Sequence, residues 1–157
     1  GVFHSSGKYL VHLDADNRMR PTYLEETSKV LDENPKIGVV YTQCAAFGQL
    51  AAGLSSWSTW WRNKQMEGEF FIWEYFDFDR ALLRKRNYIH GSAMFRRKCY
   101  DEAGGYVENA ISGKPEDYTL WKKILLDNGW DAHYIKKPLL EYRQHSNEQR
   151  AVKGENK

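Results

Sequence analysis

Cysteine is scarce in this chain: Cys44 and Cys99 are the only two among 157 residues. So far apart in sequence, they form no close-spaced pair of the kind that holds zinc. A reducing compartment is the simpler expectation, and a single Cys44–Cys99 disulfide is the other. Long apolar runs are missing too. No window supplies the roughly 18 uninterrupted apolar residues that a membrane-spanning helix needs. The opening Gly1-Val2-Phe3-His4-Ser5-Ser6-Gly7 has neither the basic region nor the apolar core of a signal peptide. Charge of one sign is not in excess either. With 23 Lys and Arg against 21 Asp and Glu, the formal net charge is +2, and nucleic acid is not the expected partner. No internal repeat, low-complexity block or P-loop is present. Aromatic residues, at 15%, are the one type in unusual supply.

The length suits one domain spanning 1–157, large enough for a real core, with the polar, aperiodic 146–157 read as a frayed tail. Lys8–Leu13 reads as a short buried strand. Pro21 suits the first position of a helix whose inner face is Tyr23, Leu24, Thr27, Val30 and Leu31, ended by Asn34-Pro35. Ile37–Thr42, rich in β-branched residues, is a second strand. Strand, helix and strand in this order imply a parallel crossover and an α/β fold. Nine aromatics lie between Trp57 and Phe78. Trp57, Trp60, Trp61 and Lys64 recur at helical spacing, so an amphipathic helix is expected, with core packing as its simplest role and a sugar-acceptor, partner or membrane surface as the sharper one. Tyr88–Phe95 is strand-like but broken at Gly91, where a ligand or backbone can approach closely. Arg96–Ala103 is a short helix stopped by Gly104-Gly105. Glu108–Lys114 is a loop. Pro115 starts a helix running to about Asn128 and stopped by Gly129, and Ala132–Ile135 and Leu139–Tyr142 are candidate strands.

Three groups of residues carry possible chemistry. Asp14-Ala15-Asp16 follows an apolar strand, where Asp is disfavoured. Its two carboxylates repel unless protons or a cation neutralise them, and Mg²⁺ or Mn²⁺ commonly binds through such groups plus substrate phosphates. A polar turn capping Asn17 is the plainer reading. An EF-hand loop, with Glu25 at its twelfth position, fails because Met19 stands where glycine is required. Glu116 and Asp117 open the Pro115 helix, where acidic residues complement the helix dipole. Asp117 also lies on the face of Trp121, Ile124 and Leu125, so it points inward and could accept a proton from a bound hydroxyl. Third, Arg143 and His145 follow the last strand. An imidazole there could complete a metal site and an arginine could pair with phosphate, or both could be solvated.

In order and spacing these pieces resemble the family 2 inverting glycosyltransferases with a GT-A fold. The residues that carry the likeness run from Gly7 through Lys8-Tyr9-Leu10-Val11-His12-Leu13-Asp14-Ala15-Asp16-Asn17 to Gly91-Ser92-Ala93-Met94-Phe95-Arg96-Arg97 and Gly104-Gly105-Tyr106. They continue through Pro115-Glu116-Asp117-Tyr118-Thr119-Leu120-Trp121 and Tyr142-Arg143-Gln144-His145. The resemblance implies a partial GT-A (nucleotide-diphospho-sugar transferase) fold, a mixed sheet flanked by helices, with the N-terminal nucleotide-binding strands missing. It implies a nucleotide-sugar donor, a saccharide, lipid-linked or protein acceptor, and a divalent cation, Mg²⁺ or Mn²⁺. By position, Asp14, Asp16 and Arg143 are donor-binding. Asp16 and His145 hold the metal, Asp117 is the catalytic base, and Glu116, Gly91 and Ser92 line the acceptor and sugar pocket. The Gln-x-x-Arg-Trp motif of processive synthases is absent, which favours single addition; the resemblance implies an enzyme of hexosyltransferase type. A cytoplasmic enzyme, or one peripheral at the inner membrane face and engaged in polysaccharide biosynthesis, follows by analogy. A truncated domain of this kind would expose sheet edges that favour self-association, and could keep its site residues without turning over. The alternative is a non-catalytic fragment acting as a carbohydrate- or partner-binding module through the aromatic segment. A Mg²⁺ phosphotransferase using Asp14 and Asp16 is a third reading.

Overall fold

One strand organises the molecule. In the computed structural model, which describes residues 1–48, 63–107 and 115–145, β3 (Ile37–Phe47) is buried along all but its two end residues. A strand buried on both faces must lie in the middle of a covered sheet, and β3 does. β7 (Asp131–Arg143) runs parallel along one edge of β3, from Ile37 to Phe47. The other edge is shared by two short strands. β6 (Met94–Arg96) pairs antiparallel at Val39 and Val40, and β5 (Phe70–Glu74) pairs antiparallel at Cys44–Ala46. β1 (Tyr9–Leu10) lies outside β6, β4 (Asn63–Glu67) outside β5, and β2 (Arg18–Met19) pairs with β7. The seven strands form one mixed sheet.

Helices cover it. α1 (Tyr23–Glu33) buries Tyr23, Thr27 and Leu31, as the periodicity predicts, while Leu24 stays 53% exposed. Arg96 donates to the carbonyls of Leu31, Asn34 (3.1 Å) and Ile37 (2.7 Å), so a cation from β6 closes the C-terminal end of α1. α2 (Arg80–Lys85) is capped by Asp79, whose carboxylate accepts from the N–H groups of Ala81 and Leu82 at 2.7 and 3.0 Å. α3 (Arg97–Glu102) ends at Gly104 and Gly105, both at positive φ. α4 (Glu116–Lys122) continues as a π-helical turn, Lys123–Asp127, stopped by Gly129. Its Leu120, Trp121, Ile124 and Leu125 are fully buried.

Several expectations change. β1 is shorter than Lys8–Leu13, and Leu13 is 42% exposed. β1 and β3 point the same way, as the crossover implies, but the antiparallel β6 lies between them. Tyr88–His90 is not strand; only Met94–Arg96 is. The two candidate C-terminal strands are one strand, in which the exposed Lys136 and Lys137 bulge out between the pairs Thr42–Ile135 and Gln43–Pro138. Lys64 belongs to β4 and not to a helix. Trp57, Trp60 and Trp61, the loop at 108–114 and the tail from 146 lie outside the described residues. In the described part of the aromatic segment, Trp73 and Tyr75 are core residues, 1% and 3% exposed. Both cysteines are buried and free, so the disulfide is not formed.

Candidate functional site

The two strands sharing one edge of β3 leave Tyr41–Gln43 unpaired between them. A backbone N–H in such a gap needs another acceptor. For Thr42 it is the His90 ring, whose Nε2 accepts at 3.2 Å. Beside this gap lies a cavity of about 280 Å³, near the lower bound of small-ligand sites, about 300 Å³. Trp73, Tyr75 and Tyr142 contribute aromatic surface, Asp14, Glu116 and Asp117 contribute acid, and Gly91 and Ser92 line it as well.

Asp117 reaches the cavity because α4 is tied to α2 and to the segment after it. Tyr118 donates its hydroxyl to the Leu83 carbonyl at 2.8 Å, and Trp121 donates Nε1–H to the Ile89 carbonyl at 3.2 Å. These bonds set the first turn of α4 against residues 86–92. Oδ1 of Asp117 accepts from the Tyr118 N–H at 2.6 Å, and Asn87 Nδ2 lies 3.3 Å from both carboxylate oxygens. Burial pushes the Asp117 carboxyl above its ordinary range, with the nearby Glu116 adding to it and the Tyr118 and Asn87 donors opposing it. Gly91 and Ser92 form a turn in which the Ala93 N–H returns to the His90 carbonyl at 3.1 Å. A β-carbon on Gly91 would lie 3.4 Å from Asp117 Oδ2, so its absence keeps space open beside that oxygen. Ser92 is fixed from behind by the Tyr23 hydroxyl of α1, which donates to its carbonyl.

Asp14 is half of a turn. Its carbonyl accepts from the Asn17 N–H at 3.1 Å and its carboxylate from Asn17 Nδ2 at 3.1 Å, so the plain capping reading is realised while the side chain also lines the cavity. Asn17 Oδ1 then accepts from the Arg143 N–H at 3.0 Å, joining the Asp-x-Asp turn to the end of β7. That junction brings His145 Nε2 into contact with Asp16 Oδ2. Neither Asp16 nor His145 lines the cavity. Arg143 does not line it either; its guanidinium and that of Arg18 stack on the Phe47 ring at 4.8 and 4.7 Å. Among the described residues no group of three His, Cys, Asp or Glu side chains is arranged around one metal position.

Two residues with no role assigned from the sequence stand out, Asn87 and His90, and Asn17 adds to its place in the turn a bond to β7. Asn17 and Asn87 show no periodic signal, because each acts through contacts distant in sequence. The His90 ring has one nitrogen on Thr42 and its other, Nδ1, buried without a partner among the described residues. Burial pushes its pKa down to about 4, so the ring is neutral at pH 7 with its proton on Nδ1. A lowered histidine pKa means that the unfolded chain takes up the proton first. Stability is therefore full above pH 6.5 and falls toward pH 4, by roughly 3 kcal/mol for a shift of this size. His90→Gln, which can still accept from Thr42, is expected to remove that part of the slope in urea melts between pH 7 and 4.

A family model, glycosyl transferase family 2, matches residues 1–104. The chain belongs to glycosyl transferase family 2. The match contains Asp14, Asp16, Asn87, Gly91 and Ser92, whereas Glu116, Asp117, Arg143 and His145 lie after it. A search of curated proteins found no match. The mixed sheet with its helices is consistent with part of a GT-A fold, and the reaction class of this family 2 chain is glycosyl transfer from a nucleotide-sugar donor to an acceptor. Enzymes of the family commonly use divalent cations. No helix among the described residues is long and apolar enough to cross a membrane.

Proposed function

We propose that this family 2 chain transfers a sugar from a nucleoside-diphosphate donor to an acceptor hydroxyl with inversion, with Asp117 as general base. The observation that carries the reading is a partly buried carboxylate with a raised pKa sharing one cavity with Asp14 of the Asp-x-Asp turn. A carboxylate weakly solvated and above its usual pKa is a stronger base near neutral pH. Asp117 takes the proton of the acceptor hydroxyl as its oxygen bonds to the anomeric carbon. The bond from that carbon to the diphosphate oxygen breaks on the opposite face, and the configuration inverts in one displacement. Gly91 leaves room for the sugar beside Asp117 Oδ2, and the exposed Glu116 at the mouth orients the acceptor. Asp14 is suited to the ribose hydroxyls of the donor.

Asp16 and His145 fit a divalent cation: a carboxylate and an imidazole form two ligands of a set that diphosphate oxygens and water complete. Bound there, Mg²⁺ or Mn²⁺ would supply charge neutralisation for the departing diphosphate. Asn17 holds the two residues at one place by bonding both the turn and β7. Arg143, at the same strand end, is the candidate for a phosphate oxygen.

The test is turnover of UDP-glucose, UDP-galactose and UDP-N-acetylglucosamine with a saccharide acceptor and Mn²⁺, with product anomeric configuration read by NMR. Release of UDP with an inverted product, lost on chelation, is the expected result. Neither binding nor turnover of any of the three by the protein would reject the reading.

A further inference from the structure

The Asp117 carboxylate has a partner whose place is set before any substrate arrives. Asn87 follows α2 by two residues, and the backbone on both sides of it is fixed to α4. Tyr118 donates to the carbonyls of Leu83 and Arg84 at 2.8 and 3.3 Å, and Trp121 donates to that of Ile89 at 3.2 Å. The helix that carries Asp117 thus also grips the segment that carries Asn87. Nδ2 of Asn87 sits 3.3 Å from each carboxylate oxygen, a donor straddling the pair. The other end of the amide, Oδ1, is buried and has no hydrogen-bond partner among the described residues. A buried acceptor left unmatched is costly and calls for a reason.

Asp117 supplies one. As a carboxylate it only accepts; once it has taken a proton it also donates. A side-chain amide that turns over about its last bond offers N–H to the first form and a carbonyl oxygen to the second. We propose that Asn87 is the positioning residue for Asp117, donating to the carboxylate before proton abstraction and accepting from the carboxylic acid after it. The proton moves from the acceptor hydroxyl to an Asp117 oxygen and leaves to solvent once product departs. This rests on the reading of Asp117 as the base.

Among the described residues, the titratable groups sharing the cavity with Asp117 are Glu116 on its own helix, Tyr106 from the loop after α3, and His12, Asp14, Tyr75, Tyr88, His90 and Tyr142. Asn87 is a neutral neighbour, so its replacement by Leu changes hydrogen bonding without changing that charge set. The test follows the Asp117 carboxyl by carbon NMR in protein labelled at aspartate Cγ, its signal identified as the one missing in Asp117→Asn. In Asn87→Leu the Asp117 titration is expected to rise by about one pH unit or more, since a bond to the charged form is lost. In Asn87→Asp, close in size and shape to the native side chain, two carboxyls share the site and titrate in two coupled steps. The acid limb of kcat/KM with the UDP-hexose that turns over moves the same way, with donor KM unchanged. An unmoved Asp117 titration in both Asn87 variants overturns the inference alone. Turnover retained by Asp117→Asn overturns the base reading and the role of Asn87 with it.

Discussion

Replacing Asp117 with Asn is expected to lower glycosyl transfer on the order of 10³-fold while donor affinity stays within about twofold. Asn keeps the shape and can accept the Tyr118 N–H as Oδ1 does now, at 2.6 Å. It cannot take a proton. The same variant should gain stability at pH 7. The carboxyl pKa is raised in the folded protein, so the folded state disfavours the charged form and carries a penalty above that pKa. As pH falls through the folded pKa the wild type recovers this stability, and below the unfolded value of 3.8 the penalty is gone. The variant's advantage should therefore shrink steadily on acidification. Thermal melts of both proteins from pH 7 to 3, beside initial-rate and titration measurements, check the pair of outcomes. Loss of donor binding equal to the loss of rate would make Asp117 a structural residue.

The second large effect lies at the end of β3. Gly48 follows β3 with φ of +100°, where any side chain is strained, and a β-carbon there would sit 2.4 Å from the Gln144 carbonyl oxygen. Gly48→Ala must displace the end of β7, since the contact is with backbone and not with a side chain that can swing away. A cost on the order of 3 kcal/mol, or a fall in Tm of about 5–10 °C, is expected. The neighbour of Gln144 is His145, so Mn²⁺-dependent UDP binding should weaken beyond what the lower stability explains. Calorimetric titration at a temperature where the variant is fully folded measures this. Binding unchanged from wild type would separate His145 from the cation.

These effects clarify what could be read along the chain and what could not. α1, α3 and α4 were legible because apolar spacing marks the buried face and Asn34-Pro35, Gly104-Gly105 and Gly129 mark the stops. The Asp-x-Asp turn was legible because two aspartates after an apolar run have no packing purpose. β7 was split in the reading because Lys136-Lys137-Pro138 has the composition of a loop, yet parallel pairing with β3 carries the strand across it as a bulge. Tyr88 and Ile89 imitate a strand by being apolar and 1% exposed, but side-chain bonds from α4, and not a ladder, hold that segment. Asn87 and the bond of Asn17 to β7 were out of reach, since an asparagine that pairs across 30 or 126 residues looks the same in sequence as one at the surface. Of the two arginines in the Gly91–Arg97 stretch, Arg96 serves α1 and Arg97 the Gly7 carbonyl, at 2.7 Å; both are architectural.

The fork on β3 has a consequence for how such a molecule diversifies. One wall is the sheet itself, with an imidazole serving as the missing rung at Thr42, and any change there disturbs the central strand together with the cavity. Tyr106, Pro115 and Glu116, which line the same cavity from outside the strands, can be redrawn without that penalty. New substrates should therefore be acquired through these residues, while the sheet side of the socket stays as it is.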